Sequence, residues 1–196
     1  MSFNLPEPIA RFQRELALAE SSQTREHAIR CALATASANG VPSVRFVLCK
    51  QVDAKGFIFF TNEKSRKGLE LDSNPVAALC FHWWSTGVQV RVEGEVSKMD
   101  DAGSDAYFAT RSRGSQLGAW ASRQSSVISG REELEKQVRK VAAQYEGESV
   151  PRPPHWVGYR VAAKVVEFWA DRPDRLHERT RYRLDNDVYV LETLAP

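Results

Sequence analysis

The sequence predicts an α+β fold, in which a mostly antiparallel sheet or barrel carries helices on its flanks. About five or six segments have the alternating or continuous apolar pattern of strands. Helical segments interrupt them at irregular places, unlike the regular strand–helix alternation that builds a parallel sheet. The 196 residues suffice to bury a core without disulfide staples. A barrel of this strand number would also remove the unpaired edges of an open sheet.

We expect one domain over residues 1–196. It divides into an N-terminal helix region at 1–25, a helical insertion at 100–145 and C-terminal strands at 155–196. The N-terminal region holds an amphipathic helix at 6–20, because apolar residues recur there at helical spacing and prolines occupy its start.

The next segments read as consecutive strands. Asn39-Gly40 joins predicted strands at 30–37 and 41–51, and this dipeptide is the strongest short hairpin signal. A turn that ends at Gly56 leads into a wholly apolar strand at 57–61.

Helices and further strands fill the rest of the chain. A short helix is expected to begin at the N-cap Ser65, and a longer helix at 131–145 is preceded by Ser129 and Glu132 at capping-box spacing. The other predicted elements are strands at 76–83, 88–96, 156–169 and 187–192, and helices from Asp100 to about Thr110 and after Ser115.

Composition excludes several classes of protein. The net charge of +2 predicts no strong field for nucleic acid or a membrane surface. No apolar run approaches the roughly 20 residues of a membrane span, and the N-terminus lacks the apolar core of a signal peptide. The three cysteines fit neither a disulfide framework nor a zinc cluster, and the histidines lack ligand spacing. We therefore expect a cytoplasmic protein without a metal.

A basic turn at 61–68 is the first candidate site. Ser65 as N-cap would place free backbone N–H groups at one point, and Arg66 and Lys67 follow in the first helical turn. Cations are unfavourable there for the helix dipole, so a bound phosphate would compensate them. The alternative is a solvated basic turn.

Three donors form the second candidate site. Tyr107, Arg111 and Ser115 are spaced i, i+4, i+8 and would share one face if a single helix continued through them. A phenol, a guanidinium and a hydroxyl together suit a phosphate monoester. Gly114 could end the helix earlier and leave Ser115 at a helix start. The alternative is a polar surface stripe.

Two further clusters combine cations with other groups. In an extended chain Arg175, His177 and Arg179 share a face and would suit an anionic, planar ligand, although a charge-laced surface is the alternative. Arg45 and Lys50 stand in an apolar strand, where a charge needs a partner or a ligand. An edge strand is the alternative there.

Taken in order, these segments resemble the pyridoxine/pyridoxamine 5′-phosphate oxidase family over nearly the whole chain. The matching pieces are RFVLCK at 45–50, FTNEKSRKG at 60–68, QVRVEG at 89–94, YFATRSRGSQLGAW at 107–120, SRQSS at 122–126, EFW at 167–169, RLHER at 175–179 and LAP at 194–196. Each piece is weak alone, but their ordered conjunction is specific. The resemblance implies a homodimeric split β-barrel with a Greek-key-like sheet that binds flavin mononucleotide (FMN).

The resemblance also implies a residue set for the flavin. Arg66 and Lys67 would hold its phosphate and so supply the anion that the basic turn needs. The other cofactor contacts would be Arg45, Phe46, Val47, Leu48, Lys50, Phe60, Thr61, Gln89, Gln124, Ser125, Trp169 and Arg179. In the family both subunits contribute these groups, so the pocket should exist only in a dimer.

The implied reaction oxidises pyridoxine 5′-phosphate or pyridoxamine 5′-phosphate at C4′ to pyridoxal 5′-phosphate. Dioxygen is the acceptor and yields hydrogen peroxide, with ammonia from the amine. The substrate phosphate contacts would be Lys50, Tyr107, Arg111 and Ser115. Arg175 and His177 would lie over the substrate ring as the catalytic pair. We expect Arg175 to matter more, because hydride transfer needs geometry before a strong base.

Some positions depart from the family pattern. The chain begins too late for the family's Arg-Arg-Glu-Tyr arm, so we expect weaker closure over the substrate or a different route for residues 1–8. Phe60 stands where tyrosine is common, and His82-Trp83-Trp84 differs from the usual sequence.

Other functions stay open at this point. A related flavin oxidase for another metabolite, such as a phenazine precursor, should lack the substrate-phosphate residues. A flavin carrier or sensor without turnover would not need Arg175 and His177. A nucleic-acid-binding module fits least, because the basic residues are scattered.

Overall fold

The computed structural model describes residues 5–196. The strands are β1 (Arg30–Ala36), β2 (Pro42–Asp53), β3 (Gly56–Asn62), β4 (Val76–Trp83), β5 (Val88–Lys98), β6 (Trp156–Ala170), β7 (Glu178–Asp185) and β8 (Val188–Leu194). The helices are α1 (Glu7–Glu20), α2 (Arg25–Ala28), α3 (Arg66–Ser73), α4 (Asp101–Ala109), α5 (Arg113–Ala121) and α6 (Arg131–Gln144), with a 3₁₀ turn at Pro173–Arg175. Of the stretch 1–8, for which a different route was expected, residues 1–4 lie outside this description. In the described range, each helix is too short or too polar to traverse a bilayer.

An antiparallel barrel forms the centre of the molecule. The strands pair in the order β3-β2-β1-β4-β5-β6, and pairing of β3 with β6 closes the ring. The chain leaves β3 through α3 and re-enters beside β1 as β4, which gives the Greek-key-like order. The predicted split barrel with flanking helices is confirmed. The overall estimate of about five or six strands was too low, because the described residues form eight, seven at the segments predicted as strands and one more, β7.

The long strand β6 connects the barrel to the two extra strands. Its first part, from Trp156 to Val161, pairs with β3, and its last part, from Val165 to Ala170, pairs with β7. Strand β7 in turn pairs with β8. The sequence did not predict β7, because Tyr182 is its only buried residue and its apolar face is therefore weak.

Aromatic side chains fill the barrel interior, and α1 completes this core. The ring of Phe12 lies 4.8 Å from those of Phe57 and Phe81 and 5.6 Å from that of Trp83, measured between centroids. The indole N–H of Trp83 donates to the carbonyl oxygen of Ala28 at 2.8 Å. Trp83 is thus a core residue that ties the segment before β1 to the barrel, which accounts for one member of the unusual triplet.

A second, smaller core lies under α4, α5 and α6. Its buried members are Phe108, Leu117, Val150 and Trp156. Arg152, in the connector after α6, forms ion pairs with Asp101 at 2.6 Å and Asp105 at 2.5 Å, both in α4. Its guanidinium also donates to the carbonyl oxygen of Trp156 at 2.8 Å. These contacts hold α4 against the start of β6.

Helix α6 begins differently from the prediction. The N-cap is Gly130, and the backbone N–H and the hydroxyl of Ser129 both donate to the carboxylate of Glu133 at 2.9 Å. The predicted capping box between Ser129 and Glu132 was therefore wrong by one residue, because the extended backbone of Gly130 delays the first helical turn.

Candidate functional site

A cleft of about 600 Å³ lies between two groups of elements. β2, β3 and the first turn of α3 form one wall, and α4 with the loop after α5 forms the other. The predicted residues that line it are Arg45, Phe46, Val47, Leu48, Lys50, Phe60, Thr61, Arg66, Lys67, Tyr107, Arg111, Gln124 and Ser125. Ser43, Val44 and Trp156 also line the cleft and were not predicted.

The first turn of α3 presents backbone N–H groups and two cations to the cleft. Ser65 is the N-cap, as predicted, and its hydroxyl accepts from the N–H of Gly68 at 3.4 Å. A Cβ at Gly68 would collide with the carbonyl oxygen of Glu63, so glycine lets the helix start close to the preceding turn. The first turn holds Arg66 and Lys67 and no acidic residue. A bound anion would offset this unfavourable arrangement.

Lys67 is a buried cation whose close partners are neutral. Its ammonium donates to Thr61 Oγ1 at 3.2 Å, Ser65 Oγ at 3.3 Å and Gln124 Oε1 at 3.2 Å. Burial, and next the charge of Arg45, lower the pKa of Lys67 to about 8. A negatively charged ligand at this point would favour the protonated form again.

The buried carboxylate of Glu70, in α3, holds two of the three arginines that line the cleft. Its Oε2 accepts from the hydroxyls of Thr35 and Ser43 at 2.5 Å and lies 3.4 Å from Nη2 of Arg45. Its Oε1 accepts from Nε of Arg66 at 2.9 Å. Burial opposes ionisation, but the hydrogen bonds outweigh it and lower the pKa of Glu70 to about 2. The partner expected for Arg45 is therefore this carboxylate.

Aromatic rings form the wall of the cleft on the α4 side. Phe60 stacks on Tyr107 and on Trp156, with centroid distances of 4.1 and 5.1 Å. The guanidinium carbon of Arg111 lies 4.9 Å from the centre of the Trp156 ring. Within residues 5–196, Nη1 of Arg111 is buried without a hydrogen-bond partner, and burial lowers the pKa of this side chain. A buried cationic N–H group of this kind suits an anionic ligand.

Of the two alternatives for Tyr107, Arg111 and Ser115, the structure shows the interrupted helix, with Ser115 near a helix start. α4 ends two residues before Arg111, because the hydroxyl of Ser112 caps a new helix, α5. Ser115 therefore lies in the first turn of α5, with its hydroxyl 2.9 Å from that of Ser112. It still reaches the same region, since Ser115 and Arg111 line an adjoining cavity of about 350 Å³.

Lys50, on the opposite wall, adds a further cation whose charge interacts with that of Arg111. It lies on β2, and burial lowers the pKa of its ammonium. Glu26 acts against this shift, whereas Arg111 and Arg25 add to it. Lys50 and Arg111 thus form a second basic point, in addition to the one at Lys67.

Besides Ser115, which lines the adjoining cavity, five predicted residues are not among those that line the cleft in a single described chain: Gln89, Trp169, Arg175, His177 and Arg179. Three of them are neighbours on the sheet, because Gln89 of β5 pairs with Trp169 of β6, which pairs with Arg179 of β7. Arg179 donates twice to the carboxylate of Glu167, at 2.9 and 3.0 Å. The ring of His177 lies 4.5 Å from that of Trp169. These residues form a second, separate cluster.

The predicted extended segment through Arg175, His177 and Arg179 was only partly right. β7 begins one residue after His177, whereas Arg175 ends the 3₁₀ turn at Pro173–Arg175. Asp174 and Arg175 have φ values of 57° and 60°, in the left-handed region that few non-glycine residues adopt. Arg175 therefore does not share a strand face with Arg179, and its strained backbone is of the kind found at functional sites.

The same face of the sheet that carries this second cluster also exposes large apolar side chains. On β2, Val44 is 69% exposed and Phe46 is 74% exposed. Their partners in β1 are Ala34 and Ala32, which are too small to cover them. Both residues also line the cleft, and exposed apolar surface of this kind suits contact with a ligand or with a second protein surface.

Besides Val44, sequence reasoning missed three contributors to the cleft. Glu70 follows Arg66 by four residues, and this spacing was a signal for an ion pair. Ser43 precedes Arg45 by two residues and therefore shares its strand face. Trp156 carried no usable signal, because its stacking on Phe60 depends on the pairing of β3 with β6.

The fold and the cleft together identify the chain as a split-barrel protein with two basic points in one aromatic-walled cleft. Matches to models of known protein families support this assignment. A model described as "Pyridoxamine 5'-phosphate oxidase" matches residues 19–145, and one described as "Pyridoxine 5'-phosphate oxidase C-terminal dimerisation region" matches residues 156–196. The chain belongs to the pyridoxamine 5′-phosphate oxidase family and is an oxidoreductase. Membership of this family indicates a flavin as the class of cofactor.

Similar proteins cover almost the whole chain. A pyridoxine/pyridoxamine 5′-phosphate oxidase of Anaeromyxobacter dehalogenans is 52% identical over 191 residues, which is 97% of this chain and 96% of the relative. The protein of the same name from Rhodospirillum rubrum is 55% identical over 170 residues, 84% of this chain and 85% of the relative. The crystal structure of PhzG from Burkholderia lata, in complex with tetrahydrophenazine-1-carboxylic acid, superposes with a TM-score of 0.91 at 36% identity, covering 97% of this chain and 93% of PhzG.

Proposed function

We propose that the protein catalyses the FMN-dependent oxidation of pyridoxine 5′-phosphate and pyridoxamine 5′-phosphate to pyridoxal 5′-phosphate. Dioxygen is the acceptor, and the products include hydrogen peroxide and, from the amine, ammonia. The observation that carries this proposal is the presence of two basic points in one cleft, Lys67 at the start of α3 and Arg111 beside α4. Two such points suit two phosphorylated molecules, a cofactor and a substrate. Relatives such as the one 52% identical to this chain bear the corresponding name.

The groups around α3 would hold the FMN phosphate. Lys67 has only neutral close partners, Arg66 donates to Glu70 through Nε and keeps its terminal nitrogens for another acceptor, and the helix N-terminus adds backbone N–H groups. Ser125, with φ at 71°, and Gln124 bring the loop after α5 to the same place. The remaining proposed contacts in this chain are Arg45, Phe46, Val47, Leu48, Lys50, Phe60 and Thr61.

The α4 side would position the substrate. Flavin, when bound, accepts a hydride equivalent and is reoxidised by dioxygen. The chain itself would orient the substrate, because its phosphate would be held by the donors Lys50, Tyr107, Arg111 and Ser115. The stacked rings of Phe60 and Trp156 would exclude water from that side of the substrate.

A second copy of the chain would complete the site. The cluster of Gln89, Trp169, Arg175, His177 and Arg179 lies outside the cleft of its own chain. Its sheet face also exposes Val44 and Phe46, and the C-terminal region matches a family model described as a dimerisation region. We propose a homodimer in which each subunit places this cluster over the cleft of the other, with Arg175 and His177 facing the substrate ring.

Within that pair, Arg175 carries the larger share of the effect. Its backbone is held in a strained turn, which sets the point from which the side chain leaves the chain, and a cation beside the ring system would stabilise developing negative charge. Replacement of Arg175 by alanine is expected to lower kcat more than replacement of His177.

The chain would act as one domain over residues 1–196 in the cytoplasm. The thiols of Cys31, Cys49 and Cys80 are free, and burial raises the pKa of each. Such thiols are unreactive and suit a reducing compartment.

The experiment is to purify the protein, record its visible absorbance, identify the flavin released on denaturation and measure peroxide after adding pyridoxine 5′-phosphate. Bound FMN and peroxide release support the proposal. A flavin-free protein, or one that is yellow but inert toward both phosphorylated vitamers, contradicts it.

A related oxidase for another flat metabolite is the second candidate, because PhzG superposes over nearly the whole chain. That function would not need the substrate-phosphate donors around Arg111. Peroxide release with a reduced phenazine precursor, in the absence of any activity on phosphorylated vitamers, would favour it.

A further inference from the structure

We propose that Glu70 is a positioning residue that aims Arg66 at the flavin phosphate and thereby makes the site select FMN over riboflavin. This inference rests on the proposed function, since it concerns the same cleft. Glu70 is 6% exposed and lies behind the first turn of α3. It touches Arg45 and Arg66, two of the three arginines that line the cleft, and acts through them.

The hydrogen bond from Arg66 fixes the direction of its guanidinium. The side chain of Arg66 is 60% exposed, and an arginine that exposed is free to adopt many rotamers. Glu70 accepts from Nε at 2.9 Å, which leaves both terminal nitrogens of Arg66 available on the side that lines the cleft. A guanidinium held in this way loses less entropy when it binds a phosphate.

The other oxygen of Glu70 fixes the carboxylate itself. Thr35 of β1 and Ser43 of β2 both donate to it at 2.5 Å, and Nη2 of Arg45 lies 3.4 Å away. The carboxylate is thus anchored to two strands of the barrel, and through it the barrel sets the position of Arg66 on α3. Its charge also offsets that of Arg45, which otherwise disfavours the ammonium of Lys67.

Helix stability alone does not explain this ion pair. Within a helix, the arrangement with the base four residues before the acid is the weaker one, and a base in the first turn opposes the dipole. The same arrangement occurs in α6, where Nε of Arg131 donates to Glu135 at 2.8 Å, but there Glu132 and Glu133 stand in the first turn. The first turn of α3 has no acidic residue, and the buried Glu70 provides the compensating charge instead.

The test compares affinities for FMN and riboflavin, which differ only in the phosphate, by quenching of flavin fluorescence in apoprotein. For Glu70→Ala we expect FMN affinity to fall by about tenfold or more, the worth of a charge-assisted hydrogen bond, with riboflavin affinity unchanged. Unchanged riboflavin affinity also shows that the variant is folded. Glu70→Gln, which keeps an acceptor for Arg66, is expected to fall between the wild type and Glu70→Ala. Glu135→Ala removes the matched ion pair in α6 and should change neither affinity.

A double-mutant cycle separates this role from a structural one. If Glu70 acts through Arg66, the replacement Glu70→Gln should have little further effect on FMN affinity in an Arg66→Ala background. If both Glu70 variants keep the wild-type ratio of FMN affinity to riboflavin affinity, for example because both affinities fall equally, the inference is overturned. The proposed function would still stand in that case, provided that the wild-type protein binds FMN. Absence of FMN binding by the wild-type dimer would overturn both.

Discussion

The guanidinium of Arg111 lies over the ring of Trp156, 4.9 Å from its centre, with a buried terminal nitrogen that has no partner in the described chain. The contact joins the loop after α4 to the first residue of β6. It fixes a cation in a half-buried position without neutralising it, because the ring attracts the charge but accepts no ordinary hydrogen bond from it. The arrangement therefore favours a ligand that brings its own negative charge.

Replacement of Arg111 by alanine should raise KM for pyridoxine 5′-phosphate by about 100-fold, since a buried charge-assisted contact to the phosphate is lost. The KM for unphosphorylated pyridoxine should change little. Steady-state peroxide assays with both compounds measure this, and Arg131→Ala, at an exposed position, serves as the control. Equal changes for both compounds would contradict the assignment of Arg111 to the phosphate.

Removal of the Trp156 ring should cost both stability and substrate affinity. The side chain is 6% exposed and packs on Phe60 and Phe108, so Trp156→Ala is expected to lower the free energy of unfolding by about 3–5 kcal/mol. Trp156→Phe keeps an aromatic face under Arg111 and should lose less. Urea unfolding measures both variants. A loss below about 1 kcal/mol for Trp156→Ala would mean that the second core does not depend on this ring.

FMN affinity should decrease as the pH rises through about 8. Burial and Arg45 lower the pKa of Lys67 to that value, so the free protein loses this cation above it. The flavin phosphate is already a dianion there, because its second pKa is about 6. Riboflavin affinity should lack this decrease, and Lys67→Arg should abolish it, because arginine stays protonated. Parallel pH profiles for the two flavins would show that Lys67 does not face the phosphate.

Acid should destabilise the protein partly through Glu70. The folded-state pKa of about 2 lies below that of an unfolded glutamate, so the carboxylate stabilises the fold above about pH 4.5 and this contribution is lost as the pH falls toward 2. Glu70→Gln removes the dependence. The difference in free energy of unfolding between wild type and Glu70→Gln, measured from pH 6 down to pH 3, should therefore shrink on acidification, and a constant difference would exclude this role.

A charge placed on the exposed face of β2 should break the dimer and the site together. We expect Phe46→Asp to run as a monomer in size-exclusion chromatography and to lose flavin, because the second cluster then no longer reaches the cleft and Phe46 itself lines it. Val127, in the loop before α6, is 98% exposed, and Val127→Asp should alter neither property. A dimer that still forms in Phe46→Asp would place the subunit contact elsewhere.

Local signals predicted the barrel strands and the start of α3, because a hairpin dipeptide such as Asn39-Gly40 and an N-cap such as Ser65 act over a few residues. The partners of Glu70 were beyond reach of the same reasoning, since Thr35 and Ser43 are 35 and 27 residues away and meet it only after the sheet forms. The turn at Arg175 was missed because its positive φ has no glycine to signal it.

The predicted candidate site also has one part that a single described chain brings together and one part that it does not. The resemblance to the family supplied the residue set, and the structure gathers thirteen of its members into one cleft. The cluster around Trp169 lies elsewhere on the same chain, and in the proposed dimer it would reach the cleft of the second copy.

The proposed oxidation of a phosphorylated substrate by bound flavin is best tested by anaerobic mixing of the flavin-loaded dimer with pyridoxamine 5′-phosphate. We expect the visible flavin absorbance to bleach, to return when air is admitted, and to change far less with unphosphorylated pyridoxamine at the same concentration. Absorbance that persists with the phosphorylated amine, or bleaches equally with both amines, would contradict it.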